Sequence, residues 1–162
     1  MNTENPQATN EINFTSKEYV SKTENRESLK REFQRAIETT LSEFSDQTGD
    51  SDVVFEKIEI PYQLNPPVVL AVATVTSKKI QYFCIDWVPS EKSLIRTMIM
   101  IRDEYQGQGM GTAMNSVTEA IAKKLGCKSV TVQAIVDTSI DYWKKKPDYK
   151  FNEANRSATK YF

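Results

Sequence analysis

Three glycines in five positions, Gly107, Gly109 and Gly111, stand between a run of strand character and a run of helical character. Upstream lies SLIRTMIMI (93–101); downstream, Met110, Met114, Val117, Ile121 and Leu125 recur at helical spacing as far as Gly126. A strand, a glycine-rich turn and a helix N-terminus belong to α/β architecture. The same junction is a physical device for holding an anion. Glycine permits positive φ and close approach of a ligand, while the free N–H groups of the first helical turn point outward with the helix dipole behind them. The candidate donors are the backbones of Gly107, Gln108, Gly109, Met110 and Gly111, with the Gln106 side chain before them and Thr112 after them. The competing reading is a tight turn in which small residues merely allow close packing.

Two familiar uses of such a junction do not fit. A P-loop places lysine, then serine or threonine, after its glycines; here Gly111 is followed directly by Thr112. A dinucleotide fingerprint reads GxGxxG and opens its domain, whereas this chain reads GxGxG after several strands.

Composition removes further classes of chemistry. The 162 residues contain no histidine, which excludes His-dependent triads and the common zinc sites, and no metal centre is expected. Cys84 and Cys127 have no CxxC context, so they read as packing residues in a reducing compartment and the expected location is cytoplasmic. A formal net charge of −1 gives no pull toward nucleic acid or an anionic membrane. Neither a secretory leader nor a membrane span is expected.

The rest of the chain fits a single domain. Residues 1–15 are polar and aperiodic and are expected to form a flexible tail ahead of a domain over 16–162. Leu29, Phe33, Ile37, Leu41 and Phe44 predict an amphipathic helix within 23–44. Strands are predicted at 53–60, 68–75, 79–87 and 93–101, with a turn at NPP (65–67). After the glycine-led helix come a strand at 128–136, a short helix ending at Pro147, and one or two edge strands that offer a route to a homodimer. The expected fold class is α/β, with a mixed, largely antiparallel sheet flanked by helices.

Gln106-Gly107-Gln108-Gly109-Met110-Gly111 resembles the Q/R-x-x-G-x-G/A motif of the GNAT acyltransferase superfamily. In that family the segment joins strand four to the central helix and wraps the pyrophosphate of acetyl-coenzyme A (acetyl-CoA). The similarity extends through the flanking elements over roughly residues 50–155, and IDYWKKKPDYKF (140–151) resembles the segment that closes the family's cofactor-binding half. The resemblance implies a GNAT-like fold, acetyl-CoA as cofactor, and transfer of an acetyl group to a primary amine by direct attack in a ternary complex. The family's terminal Gly-Phe is Asp148-Tyr149 here, displaced by one residue, and Asp137 falls where the family carries asparagine.

Such a transfer requires the amine to lose a proton, a donor for the developing oxyanion and an acid for the leaving sulfur. The resemblance implies that backbone groups of Ile99, Met100 and Ile101 meet the cofactor and that the acid is a tyrosine of the last helix. Tyr142 is the only tyrosine of its aromatic pair; Trp143, where many relatives carry the acid, cannot serve as one. Tyr142 has a packing or lid role as its alternative. The base is open among carboxylates: Asp86, Glu91, Asp103 and Glu104 are candidates, each with a solvated-turn alternative, and a neutral amine needs none of them. Family members with a glutamate early in strand four have Ile95 or Arg96 as their counterpart here. The lysine run 144–146 reads first as a solvated face, and Met98 and Met100 as strand filler. Two other functions compete: a catalytically inactive acyl-CoA-binding or regulatory module, and a cofactor-free interaction domain using the first helix or the 61–67 loop. No residue pattern identifies the acceptor amine, whether small molecule or protein.

Overall fold

A computed structural model describes the backbone of residues 16–48, 54–59, 71–76 and 78–162, and the side chains of 27–44 and 78–162. The expected tail at 1–15 and the loop at 61–67 lie outside the described residues. The chain runs through α1 (Ser16–Thr48), β1 (Val54–Glu59), β2 (Ala71–Thr76), β3 (Ile80–Val88) and β4 (Ser93–Ile101). It continues through α2 (Met110–Lys124), β5 (Ser129–Val132), α3 (Ile140–Lys145), β6 (Lys150–Asn152) and β7 (Ser157–Tyr161). One seven-stranded sheet has the order β1-β2-β3-β4-β5-β7-β6. Among the described residues only β4 and β5 pair in parallel; every other neighbouring pair is antiparallel. The fold is thus α/β with a mixed, largely antiparallel sheet, and the glycine segment joins β4 to α2 as expected.

Three boundaries depart from expectation. The first helix is longer than its apolar stripe predicts, the stripe marking the stretch that packs inward. The strand predicted at 128–136 is only Ser129–Val132, and Ala134 takes φ 53° just beyond it. At the C-terminus the two strands form a hairpin in which β7 lies between β5 and β6, so of these two only β6 is an edge strand.

Alternation along β3 turns Phe83, Ile85 and Trp87 toward the core and leaves Tyr82, Cys84 and Asp86 on the opposite face. α1 and α2 pack together over the core face. Phe33 and Ile37 of α1 are fully buried, and the Phe33 ring lies 5.6 Å from that of Trp87. Met114 and Ile121 of α2 close over Leu94, Val130 and Val132. At the rim Lys124 reaches Glu43 at 2.9 Å, an exposed pair of small energetic weight. Among the described residues, no helix is long and apolar enough to cross a membrane. Replacing Phe33 with Ala removes the ring that joins α1 to the sheet, and urea denaturation should show a loss of about 3–5 kcal/mol.

Candidate active site

The site begins where two strands part. β4 has nine residues and β5 four, so only Ser93–Arg96 is paired on that side. The last link is the Gln133 N–H donating to the Arg96 carbonyl at 2.9 Å. On the other side of β4, Ile85 faces Arg96 and Cys84 faces Met98, which leaves Thr97 as an extra, bulged residue. Its hydroxyl donates to the Cys84 carbonyl at 3.3 Å. From Thr97 onward, the β5-side edge of β4 faces no strand among the described residues. Ile99, Met100 and Ile101 therefore stand on a strand edge next to a gap. The Ile101 carbonyl is already engaged, accepting from Gln106 Nε2 at 3.1 Å.

The bulge also changes the phase of β4. Ile99 and Ile101 pack against the core, whereas Met98 and Met100 turn outward at 48% and 45% exposure and are not the filler their sequence suggests. A cleft of 440 Å³ opens beside the strand end, bordered by Met100, Ile101, Asp103 and Gln106. A larger hollow of 630 Å³ lies over the β5, β6 and β7 strands and contains none of the predicted site residues.

The glycine segment forms an open backbone cradle at the start of α2. Gly107 and Gly109 take φ 74° and 82°, conformations that side-chain-bearing residues rarely adopt. Gly109 caps α2 without any side-chain hydrogen bond, and no acidic residue occupies the first turn. The first intrahelical bond runs from the Ala113 N–H to the Gly109 carbonyl at 3.0 Å, so the N–H groups of Met110, Gly111 and Thr112 precede the ladder. A Cβ added at Gly107 or Gly109 would meet nothing within 4 Å; one at Gly111 would touch only Ile101 Cδ1, at 3.9 Å. Close packing within the fold therefore does not explain these glycines. Gly111 is the sharpest case, because neither a positive φ nor a neighbour demands it. The glutamines serve the turn: Gln106 also donates to Asp103 Oδ1 at 3.0 Å, and Gln108 donates to the Glu104 carbonyl at 3.1 Å.

Tyr142 stands beside this helix start. Its hydroxyl oxygen accepts from Lys146 Nζ at 3.2 Å and from Asn115 Nδ2 at 3.4 Å, with Thr112 of the first turn beside it. Partial burial pushes the phenol up. Hydrogen bonds from Lys146, Asn115 and Thr112, together with the Lys146 charge, outweigh that and hold it below the ordinary phenol range. Trp143 is buried edge-on between Tyr142 and Tyr149, at 5.1 and 5.0 Å from their centroids. Tyr149 donates to Glu119 of α2 at 2.8 Å, and Lys160 of β7 donates to the same carboxylate at 3.0 Å, tying the C-terminal hairpin to α2.

The carboxylates separate clearly. Asp86 lies opposite Ile95 on the face away from the helices, close to the bulge, and burial raises its pKa. Glu91 ends the 3-10 turn at the far end of β4, so the strand from Ser93 to Thr97, about 13 Å long, lies between it and the bulge. Asp103 and Glu104 are exposed in the 3-10 turn before the glycines. The Asp137 carboxylate is held by Arg156. The lysine run divides, Lys144 pairing with Glu153 and Lys146 turning to Tyr142. Cys127 is buried and its thiol is pushed up to about 11 by burial, against a weaker opposing hydrogen bond with Trp87, so it carries no nucleophilic role.

Two residues of the site escape sequence reasoning. Arg96, 6% exposed, donates to Asn115 Oδ1 and lies 5.6 Å over the Trp143 ring. Asn115 is itself 5% exposed. The available signals were an arginine within an apolar strand and an asparagine beside a helix's apolar stripe.

No protein-family model matches the sequence, and no curated protein matches it. Among solved structures, nourseothricin acetyltransferase is similar at 11% identity and TM-score 0.45, over 69% of this chain and 85% of its own. Tetrahymena GCN5 is similar at 14% identity and TM-score 0.40, over 57% and 68%. An acetyltransferase from Bacillus cereus is similar at 14% and 0.38, over 93% and 95%. Values this low speak to no activity, so the functional reading stands on the chain's own geometry.

The cradle makes opposite demands at two glycines. Gly111→Ala should raise stability by about 0.5–1 kcal/mol, since alanine is the better helix former and has room. Gly109→Ala should lower it by about 1–2 kcal/mol through its left-handed φ. Thermal unfolding of the two variants checks both signs.

Proposed function

We propose that this protein is an acetyl-CoA-dependent N-acetyltransferase that moves an acetyl group to a primary amine by direct attack in a ternary complex. The observation that carries the reading is a convergence: a strand edge with no strand beside it among the described residues, an uncapped glycine-rich helix start and the Tyr142 hydroxyl lie close together. The cradle fits a pyrophosphate in kind, because it offers several backbone donors, no carboxylate in the first turn, and space where a side chain would stand.

In this reading Gly107 to Thr112 hold the pyrophosphate through backbone N–H groups. The β4 edge at Ile99 and Met100 aligns the acyl-bearing arm and offers donors to its carbonyl oxygen. When bound, acetyl-CoA supplies an acetyl group activated as a thioester. Tyr142 holds a proton for the leaving sulfur, its phenol tuned by Lys146 and Asn115. Asp86 receives the amine proton from the other face, its burial raising it toward the range useful for a base. Gln106 shapes the turn and leaves anion contact to the backbone. The acceptor amine is a small molecule or a protein amine.

Calorimetric titration with acetyl-CoA tests the cofactor. Gly111→Glu is the control of choice, because position 111 is helical and open, so the variant keeps its fold while placing a carboxylate among the donors. Binding by the natural protein and loss in Gly111→Glu is expected; absence of binding at millimolar ligand overturns the reading. Binding without transfer to any amine would support an acyl-CoA-binding module instead.

A pH profile tests the base. A base must be ionised, and the Asp86 carboxyl is raised above its ordinary value of 3.8. Activity should therefore climb with pH along a limb displaced upward from the ordinary aspartate range. In Asp86→Asn that limb should vanish and kcat/KM fall about 10²-fold or more.

A further inference from the structure

We infer that the buried Arg96 fixes the direction of the Tyr142 hydroxyl proton, acting through the side-chain amide of Asn115. The argument is one of donors and acceptors. Arginine carries donors alone, so the Asn115 oxygen must face Arg96 and its NH2 group must face away. That NH2 group points at the Tyr142 oxygen at 3.4 Å, and the Lys146 ammonium, also a donor alone, points at the same oxygen at 3.2 Å. The phenol oxygen thus accepts from two groups that cannot accept in return. Its own proton is left for a ligand arriving at the start of α2, since Thr112, like the other two partners, favours the ionised oxygen. Arg96 is held for this task by β4 and by the Trp143 ring beneath its guanidinium. Other charged or titratable groups nearby are Tyr149, with Glu119 and Lys160 behind it. Arg96 and Asn115 are positioning residues, and their catalytic consequence rests on the transferase reading.

Asn115→Asp reverses the relay. A carboxylate accepts from both Arg96 and the Tyr142 O–H, turning the phenol proton inward, while its pairing with Arg96 keeps the fold. Titration of Tyr142 in ring-labelled protein by NMR, assigned against Tyr142→Phe, reads this without any activity. The Tyr142 titration should move upward in Asn115→Asp and in Arg96→Met, and return toward the natural position in Arg96→Lys. In acetyl transfer, kcat should fall about 10–100-fold in Asn115→Asp with KM for acetyl-CoA unchanged. An unchanged Tyr142 titration in both Asn115→Asp and Arg96→Met overturns the inference. If Arg96→Met fails to fold, Arg96→Gln, which frees the Asn115 amide to turn, decides in its place. A shifted titration in a protein that transfers no acetyl group upholds the relay and overturns the transferase reading, so the two failures are separable.

Discussion

The site depends on the parting of β4 and β5 after Arg96. A parallel pair ordinarily satisfies its backbone along its whole length, and breaking it inside a domain exposes groups that need partners. Here two local events produce the break. Thr97 inserts an extra residue toward β3, and β5 ends as Ala134 turns to φ 53°. The strand edge released in this way lies next to the start of α2, because the glycine turn brings the chain back across the same end of the sheet. Neither event provides the arrangement alone. A bulge without the early end of β5 would leave a closed ladder, and a short β5 without the bulge would leave β4 in its original phase.

The glycine junction was legible because its chemistry is local. A strand, positive-φ residues and an uncapped helix start can all be read within twenty residues, and the helix stripe from Met110 to Ile121 follows with the expected burial. The parting of the strands was not legible, for a physical reason. In SLIRTMIMI nearly every residue tolerates either face, so a phase slip at Thr97 leaves no trace in the pattern. Strict alternation would set Leu94, Arg96, Met98 and Met100 on one face. The structure instead buries Leu94 and Arg96, then packs Ile99 and Ile101 inward. The carboxylate candidates show the same limit: proximity in sequence said nothing of which strand end each would occupy, and Glu91 and Asp86, five residues apart, lie at different places along the sheet.

Arg96 shows how a residue can be misread from a pattern of family positions. As the counterpart of a glutamate it counted only as an absence. In the fold it is a buried cation whose guanidinium is pushed down to about 10 by burial, against the weaker opposing influence of Tyr149 and Tyr142. A buried charge is costly unless its environment is organised around it. The aromatic face of Trp143 and the amide of Asn115 supply that organisation, and both lie within reach of Tyr142. The cost of burying Arg96 is easier to understand if the group it orients has work to do.

Strand alternation gives the proposed mechanism its geometry. Ile85 and Arg96 share the face covered by α2, while Asp86 and Ile95 share the other. Tyr142 belongs with Arg96 and Asn115 on the first face, and Asp86 stands on the second. Direct attack needs a base beside the incoming nucleophile and an acid beside the leaving group, and the two occupy different positions around the carbon under attack. Residues on one face of a continuous sheet meet that need poorly, since backbone separates them from anything on the other. Where β4 has lost its neighbour, the sheet no longer separates the two faces. In the proposed mechanism the reacting centre lies in the gap beside Ile99 and Met100, with Tyr142 on one side. Asp86, whose partner Ile95 is still paired with β5, reaches toward it from the other.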